Sequence, residues 1–126
     1  MAFGDTGGAV TELVITCRTP ADGEVAIEKG DAVKLTGAYT VDNATDDEDP
    51  VFGQALADCQ QNDVAIPVKV RGICLFAYTG AAPTVNGSAG IVAAETPGRV
   101  KAPATGTGHG INLKADTAND VVHVLL

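Results

Sequence analysis

The sequence predicts an all-β (mainly β) fold, a small single-domain barrel or sandwich with an extended N-terminal arm. Three observations carry this expectation. Short runs such as Ala32-Val33-Lys34-Leu35-Thr36 alternate in the period of a half-buried strand. Turn formers, 15 glycines among them, separate the runs. No segment carries a long helical period. Residues 1–23 read as an N-terminal arm or peripheral strand, and residues 24–126 as the compact β-domain.

Within the arm, Phe3 to Gly8 is turn-rich, and Ala9 to Thr19 is extended with Val10, Leu13, Val14 and Ile15 along it. Pro20 to Gly23 closes it. Val25 and Ile27 share one face of the next run, Lys29-Gly30-Asp31 turns, and Val33 and Leu35 point inward from the strand that follows. Residues 42–50 form a polar loop with five acids, Asp42, Asp46, Asp47, Glu48 and Asp49. The loop lacks the Gly at position six and the Glu at position twelve of an EF-hand, so a solvated loop is expected rather than a calcium site.

Val51 to Ala57 is a strand or short helix, and Asp58 to Asp63 a turn. Val64 to Tyr78 is the longest apolar run. Ile66, Val68 and Val70 share a face, Pro67 points to an edge or bulge, and Gly72 interrupts as a bulge. Beyond it, Ile73, Leu75 and Ala77 alternate with Cys74 and Phe76. Asn86-Gly87 marks a turn. Ile91–Glu95 and Arg99–Ala102 read as a hairpin, and Ile111–Ala115 with Val121–Leu125 as a final strand pair. Gly53, Leu56, Asn62, Asp63 and Val64 recur 57 residues later as Gly110, Leu113, Asn119, Asp120 and Val121, the trace of a repeated hairpin geometry.

Composition restricts function. Sixteen acids against eight bases leave a formal net charge of −8. Nucleic-acid affinity depends on neutralising phosphates, so nucleic acid is excluded as a partner, and an anionic membrane for the same reason. No run of about 18 apolar residues provides a membrane span. Met1 to Asp5 lacks the basic and apolar regions of a signal peptide, so the expected site of synthesis and residence is a reducing cytosol. Cys17, Cys59 and Cys74 match neither a disulfide framework nor a zinc motif and read as buried free thiols.

Chemistry-bearing residues are sparse. His109 lies in a Gly-rich stretch, and His123 alternates with Val122 and Val124, facing solvent or a neighbouring subunit. Neither has a second ligand at metal spacing. Ser88 is the single serine, and Asn86 occupies the first glycine position of a nucleophile elbow. Gly106-Thr107-Gly108-His109-Gly110 invites a phosphate loop, but a strand follows where a helix is needed. The residues therefore predict no enzyme, cofactor or metal, and a structural or binding role by elimination.

Ile27-Glu28-Lys29-Gly30-Asp31-Ala32-Val33, Phe52-Gly53-Gln54-Ala55-Leu56-Ala57 leading into Val68-Lys69-Val70-Arg71-Gly72, and the terminal Asn119 to Leu126, in this order and spacing, resemble the capsid cement (head decoration) proteins of tailed bacteriophages. The resemblance covers most of residues 24–126, while the acidic loop has no place in the family pattern. It implies a virion protein made in the host cytoplasm that binds the outer surface of the expanded head, its partner the major capsid protein and its state a homotrimer. It implies no catalysis and no cofactor. On this reading the N-terminal segment adds a strand to the capsid protein, with Phe3, Val10, Leu13, Val14 and Ile15 as apolar contacts. The alternative is a small β-barrel or β-clip ligand-binding module, which Glu24 to Gly37 resembles. A nucleotide hydrolase of the deoxyuridine-triphosphatase type is disfavoured, because its nucleotide motifs are missing.

Overall fold

A computed structural model describes residues 12–126, and every element in it is a strand. Strands β1 (Leu13–Arg18), β2 (Ala32–Gly37), β3 (Thr40–Asn43), β4 (Gly53–Ala55) and β5 (Ala65–Arg71) close a barrel in the order β1-β3-β2-β4-β5. Strands β6 (Ile73–Ala77), β9 (Ile111–Asp116) and β10 (Val121–Leu125) form a second sheet in the order β6-β10-β9. Between them in sequence, β7 (Val92–Ala93) and β8 (Val100–Lys101) form the expected hairpin.

Leu13, Val14 and Ile15, expected on an arm or a peripheral strand, lie on a wall strand of the barrel. Strand β1 pairs with β5 over its whole length, from Leu13 opposite Arg71 to Arg18 opposite Ala65, and touches β3 through Arg18 and Thr40. This pairing satisfies the second edge of β5 and makes closure possible. Phe3 and Val10 lie outside the described residues.

Barrel interior and barrel wall are packed separately. Inside are Cys17, Val25, Ile27, Val33, Val41, Ala55, Ile66 and Val68, all buried. A second core joins the outer wall, through Ala32, Ala44 and Val51, to Cys74, Phe76, Val122 and Val124 of the second sheet and Ile91, Ala93 and Val100 of the hairpin. Neighbouring Ala32 and Val33 are therefore both fully buried, one in each core. Leu35 departs from the expected inward position and is 51% exposed. The register with β3 shifts between Leu35 and Gly37, and β2 is exposed from Leu35 onward.

Residues 51–57, expected as strand or short helix, provide β4. Pro67 lies in β5, opposite Thr16. Its carbonyl accepts the Leu56 N–H, but Pro67 has no N–H to return, and β4 stops at Ala55. Gly72 takes φ 111°, and the chain leaves the barrel there for the second sheet. The repeated Asn-Asp turn is real in geometry: Asp63 and Asp120 adopt left-handed φ values of 54° and 53°. Each precedes an antiparallel strand, β5 and β10 respectively.

Of the three thiols expected to be buried, Cys17 and Cys74 are, while Cys59 is only half-buried. Cys74 is fully buried, and burial pushes its pKa up to about 11. The unfolded thiol ionises near 9.0 while the folded one keeps its proton. The contribution of this thiol should therefore be constant below pH 9, and stability should fall as pH rises from 9 towards 11. Equilibrium urea titrations at pH 8 and pH 10.5 check this. The decline should shrink in Cys74→Ala, whose baseline stability is lower throughout.

Candidate interaction surface

The second sheet has two apolar faces. Cys74, Phe76, Val122 and Val124 point into the core. The opposite parity places Ile73, Leu75 and Ala77 of β6 beside Leu125, His123 and Val121 of β10. On β9, Ile111 faces Leu125 and Lys114 faces His123. A register shift there inserts Leu113 as an extra residue, so Leu113 and Lys114 are both exposed. Leu75, Ile111, Leu113 and Leu125 are between 40% and 49% exposed, and nothing among the described residues covers them. An apolar surface of this kind makes this face the candidate contact surface.

This face continues past both margins of the sheet. Leu125 and Leu126 meet Leu13, Arg71 and Gly72 in a groove of about 460 Å³. On the β6 side, Leu75 and Ala77 line a more polar cleft of about 480 Å³ with Lys29, Asp31, Asn43 and Arg99. The main-chain edge of β6 is capped from the barrel. Gln54 Nε2 donates to the Leu75 carbonyl at 2.7 Å, and Lys69 Nζ to the Ile73 carbonyl at 2.7 Å. Lys69 also holds Glu12 at 2.8 Å. Strand β9 is the opposite margin, and β10 is its one strand partner among the described residues.

Charge is divided unevenly. Four of the eight bases are engaged: Arg18 with Asp63, Lys69 with Glu12, Lys34 with Asp46 and Asp49, and Lys101 with Asp47 and Glu48. The acidic loop is thus tied to β2 and β8, at 2.9 Å for Lys34–Asp46 and 2.5 Å for Lys101–Asp47. Hydrogen bonding to Lys34 holds the Asp46 carboxyl below its usual range. Main-chain bonds join Glu48 N–H to the Ala93 carbonyl and Ala93 N–H to the Asp49 carbonyl. The remaining bases, Lys29, Arg71, Arg99 and Lys114, have no ion-pair partner among the described residues. All four border the apolar face or its two clefts.

The other singled-out residues fall elsewhere. Asn86 Oδ1 accepts the N–H groups of Ser88 and Ala89, making the expected turn. The main chain of His109 bridges to Ile91, and burial pulls its imidazole pKa down. Gly106 to Gly110 leads directly into β9, with no helix behind it. His123 is half-buried on the outer face, the side its alternation predicts. Burial raises the Asp31 carboxyl, opposed by the Glu28 N–H that it accepts at 3.0 Å. Among the described residues, no three His, Cys, Asp or Glu side chains gather as a metal site, and no helix is long and apolar enough to cross a membrane. Sequence reasoning missed Gln54 and Lys69 as edge caps. Their only signal is a polar residue inside an apolar run.

No protein-family model matches this chain, and no curated protein matches it significantly.

Proposed function

We propose that this protein is a structural virion component, a cement protein that binds the outer surface of a tailed-phage capsid as a homotrimer and stabilises the expanded head. The reading assigns it no catalytic step and no cofactor. One observation carries it beyond the sequence resemblance: the outer face of the β6–β10–β9 sheet presents Leu75, Ile111, Leu113 and Leu125 to solvent. Such a face serves contact with protein. The closed barrel behind it, its interior filled by side chains, supplies a stiff body through which load on one contact passes to the next.

The major capsid protein is the proposed partner. An acidic molecule favours a neutral or basic footprint on the shell, and binding weakens with salt where charge contributes. The ligand-module alternative has its own observation, the cleft of about 480 Å³ holding Asp31, Asn43 and Arg99. That volume lies within the usual range for small-ligand sites, but the lining is largely polar, whereas such sites are mostly apolar.

The test is sedimentation of the purified protein with expanded, undecorated phage heads. The segment expected to contact the capsid is examined by removing residues 1–11. Deleting residues 1–19 would take away β1 and leave β5 unpaired, confounding binding with folding. Saturable binding that requires residues 1–11 supports both the function and the arm. Binding without them keeps the function and moves the contact to the folded body. No binding to the heads of its own phage overturns the reading in favour of the ligand module.

A further inference from the structure

We infer that the cleft between the 28–31 turn, the end of β3 and the β7–β8 turn binds a free aliphatic amino acid, its ammonium held by Asp31 and Asn43 and its carboxylate by Arg99. This site is separate from the cement reading, which concerns contact with protein on the neighbouring sheet face.

The floor of the cleft is built of acceptors. Asn43, at the end of β3, is 7% exposed. Its Nδ2 donates to the Ala26 carbonyl at 2.7 Å, while its Oδ1 is buried and accepts no bond from the described residues. Buried acceptors in folded proteins nearly always have a donor, so an orphan in a cleft wall calls for one. Asp31 stands beside it, half-buried, with Oδ2 accepting the Glu28 N–H at 3.0 Å. A carboxylate with one such bond keeps acceptor capacity to spare. Gly98 gives that carboxylate its seat. A Cβ there would lie 2.5 and 2.6 Å from the two carboxylate oxygens, and the residue has φ 76°.

The rim supplies donors. Lys29 and Arg99 line the same cleft and make no ion pair among the described residues. Burial and then the Glu28 charge raise the Asp31 carboxyl, and the Glu28 N–H, the Asn43 amide and Arg99 oppose them. Arg99 therefore lies within electrostatic reach of Asp31 without closing onto it, and the space between them suits a molecule with a charge at each end.

The wall charges select the ligand class. Glu28 and Asp31 balance Lys29 and Arg99. A simple cation would face the two bases, and a simple anion the two acids. A zwitterion meets neither penalty and forms a charge-assisted hydrogen bond at both ends. Leu75 and Ala77 make the apolar side, which fits an aliphatic side chain. The volume of about 480 Å³ lies within the range of small-molecule sites.

The test titrates the full chain with L-leucine at neutral pH, read by amide NMR spectra. Two analogues each lack one charge: L-leucinamide has no carboxylate, and 4-methylpentanoate no ammonium. Leucine should bind with Kd of about 0.1–1 mM. The shifted amides should centre on Asp31, Asn43, Gly98 and Arg99. Each analogue should bind at least about 10-fold more weakly. Arg99→Gln should weaken leucine by a similar factor and leave leucinamide unchanged, and Asp31→Asn should weaken leucine and leave 4-methylpentanoate unchanged. If Asp31→Asn fails to fold, Arg99→Gln, at an exposed position, and the analogue series decide. No saturable binding of leucine up to about 20 mM overturns the inference. So do equal binding of the three compounds, shifts centred elsewhere, or an Arg99→Gln protein that binds leucine normally.

Discussion

Replacing Phe76 with alanine is expected to lower the unfolding free energy by about 3–5 kcal/mol, a large part of the roughly 5–15 kcal/mol typical of a small domain. Phe76 is the largest fully buried side chain among the described residues. It lies in the core that joins barrel, second sheet and hairpin. A cavity there has mostly Val and Ala as neighbours, short side chains that cannot reach in to fill it. Leu75, the preceding residue on β6, is 49% exposed on the other face, and Leu75→Ala should change stability by less than about 1 kcal/mol. Urea denaturation of the two variants, with unchanged slope, measures the contrast. Equal losses would mean that β6 is buried on both faces or turned the other way.

That contrast also shows what the sequence could reveal. Alternation in Ile73 to Ala77 separates Cys74 and Phe76 from Ile73 and Leu75, and the structure keeps the separation. Both parities are apolar, however, which is the pattern of a strand covered on both sides. The covering proposed for the outer side is the major capsid protein. The same ambiguity affects Leu13 to Ile15, where three consecutive apolar residues have no parity to read. An arm and a barrel strand look alike there, and only the tertiary pairing with β5 distinguishes them. Turns are legible because their chemistry is local, as at Asn86 and the paired Asp63 and Asp120. The tethering of the acidic loop is not, because its ion-pair partners Lys34 and Lys101 lie outside it in sequence. Nor does alternation show that the barrel wall is buried from outside, which makes Ala32 as much a core residue as Val33.

Gly108→Ala should destabilise the fold by about 3 kcal/mol or more, and the reason is main chain against main chain. A Cβ at Gly108 would lie 2.7 Å from the nitrogen of Ile91 and 2.5 Å from its carbonyl carbon, with the carbonyl oxygen nearer still. No side-chain rotation relieves such a contact, so the chain segments must part. Their separation would break the paired bonds between Ile91 and His109, each near 3 Å, and draw the fully buried Ile91 out of the core. Two residues away, Gly106 has φ 72°, and a methyl group added there would meet nothing within 4 Å. Gly106→Ala should therefore cost only the left-handed backbone penalty, about 1 kcal/mol. Thermal unfolding of the two variants separates close approach from backbone strain. Similar losses would show that the loop yields freely at Gly108, and that the contact between residues 90–91 and 108–109 does not hold the start of β9 in place. A large loss confined to Gly108 would show that it does. The sheet face built on β9 would then depend on this glycine as much as on its leucines, because the register that exposes Ile111 and Leu113 begins at that crossing.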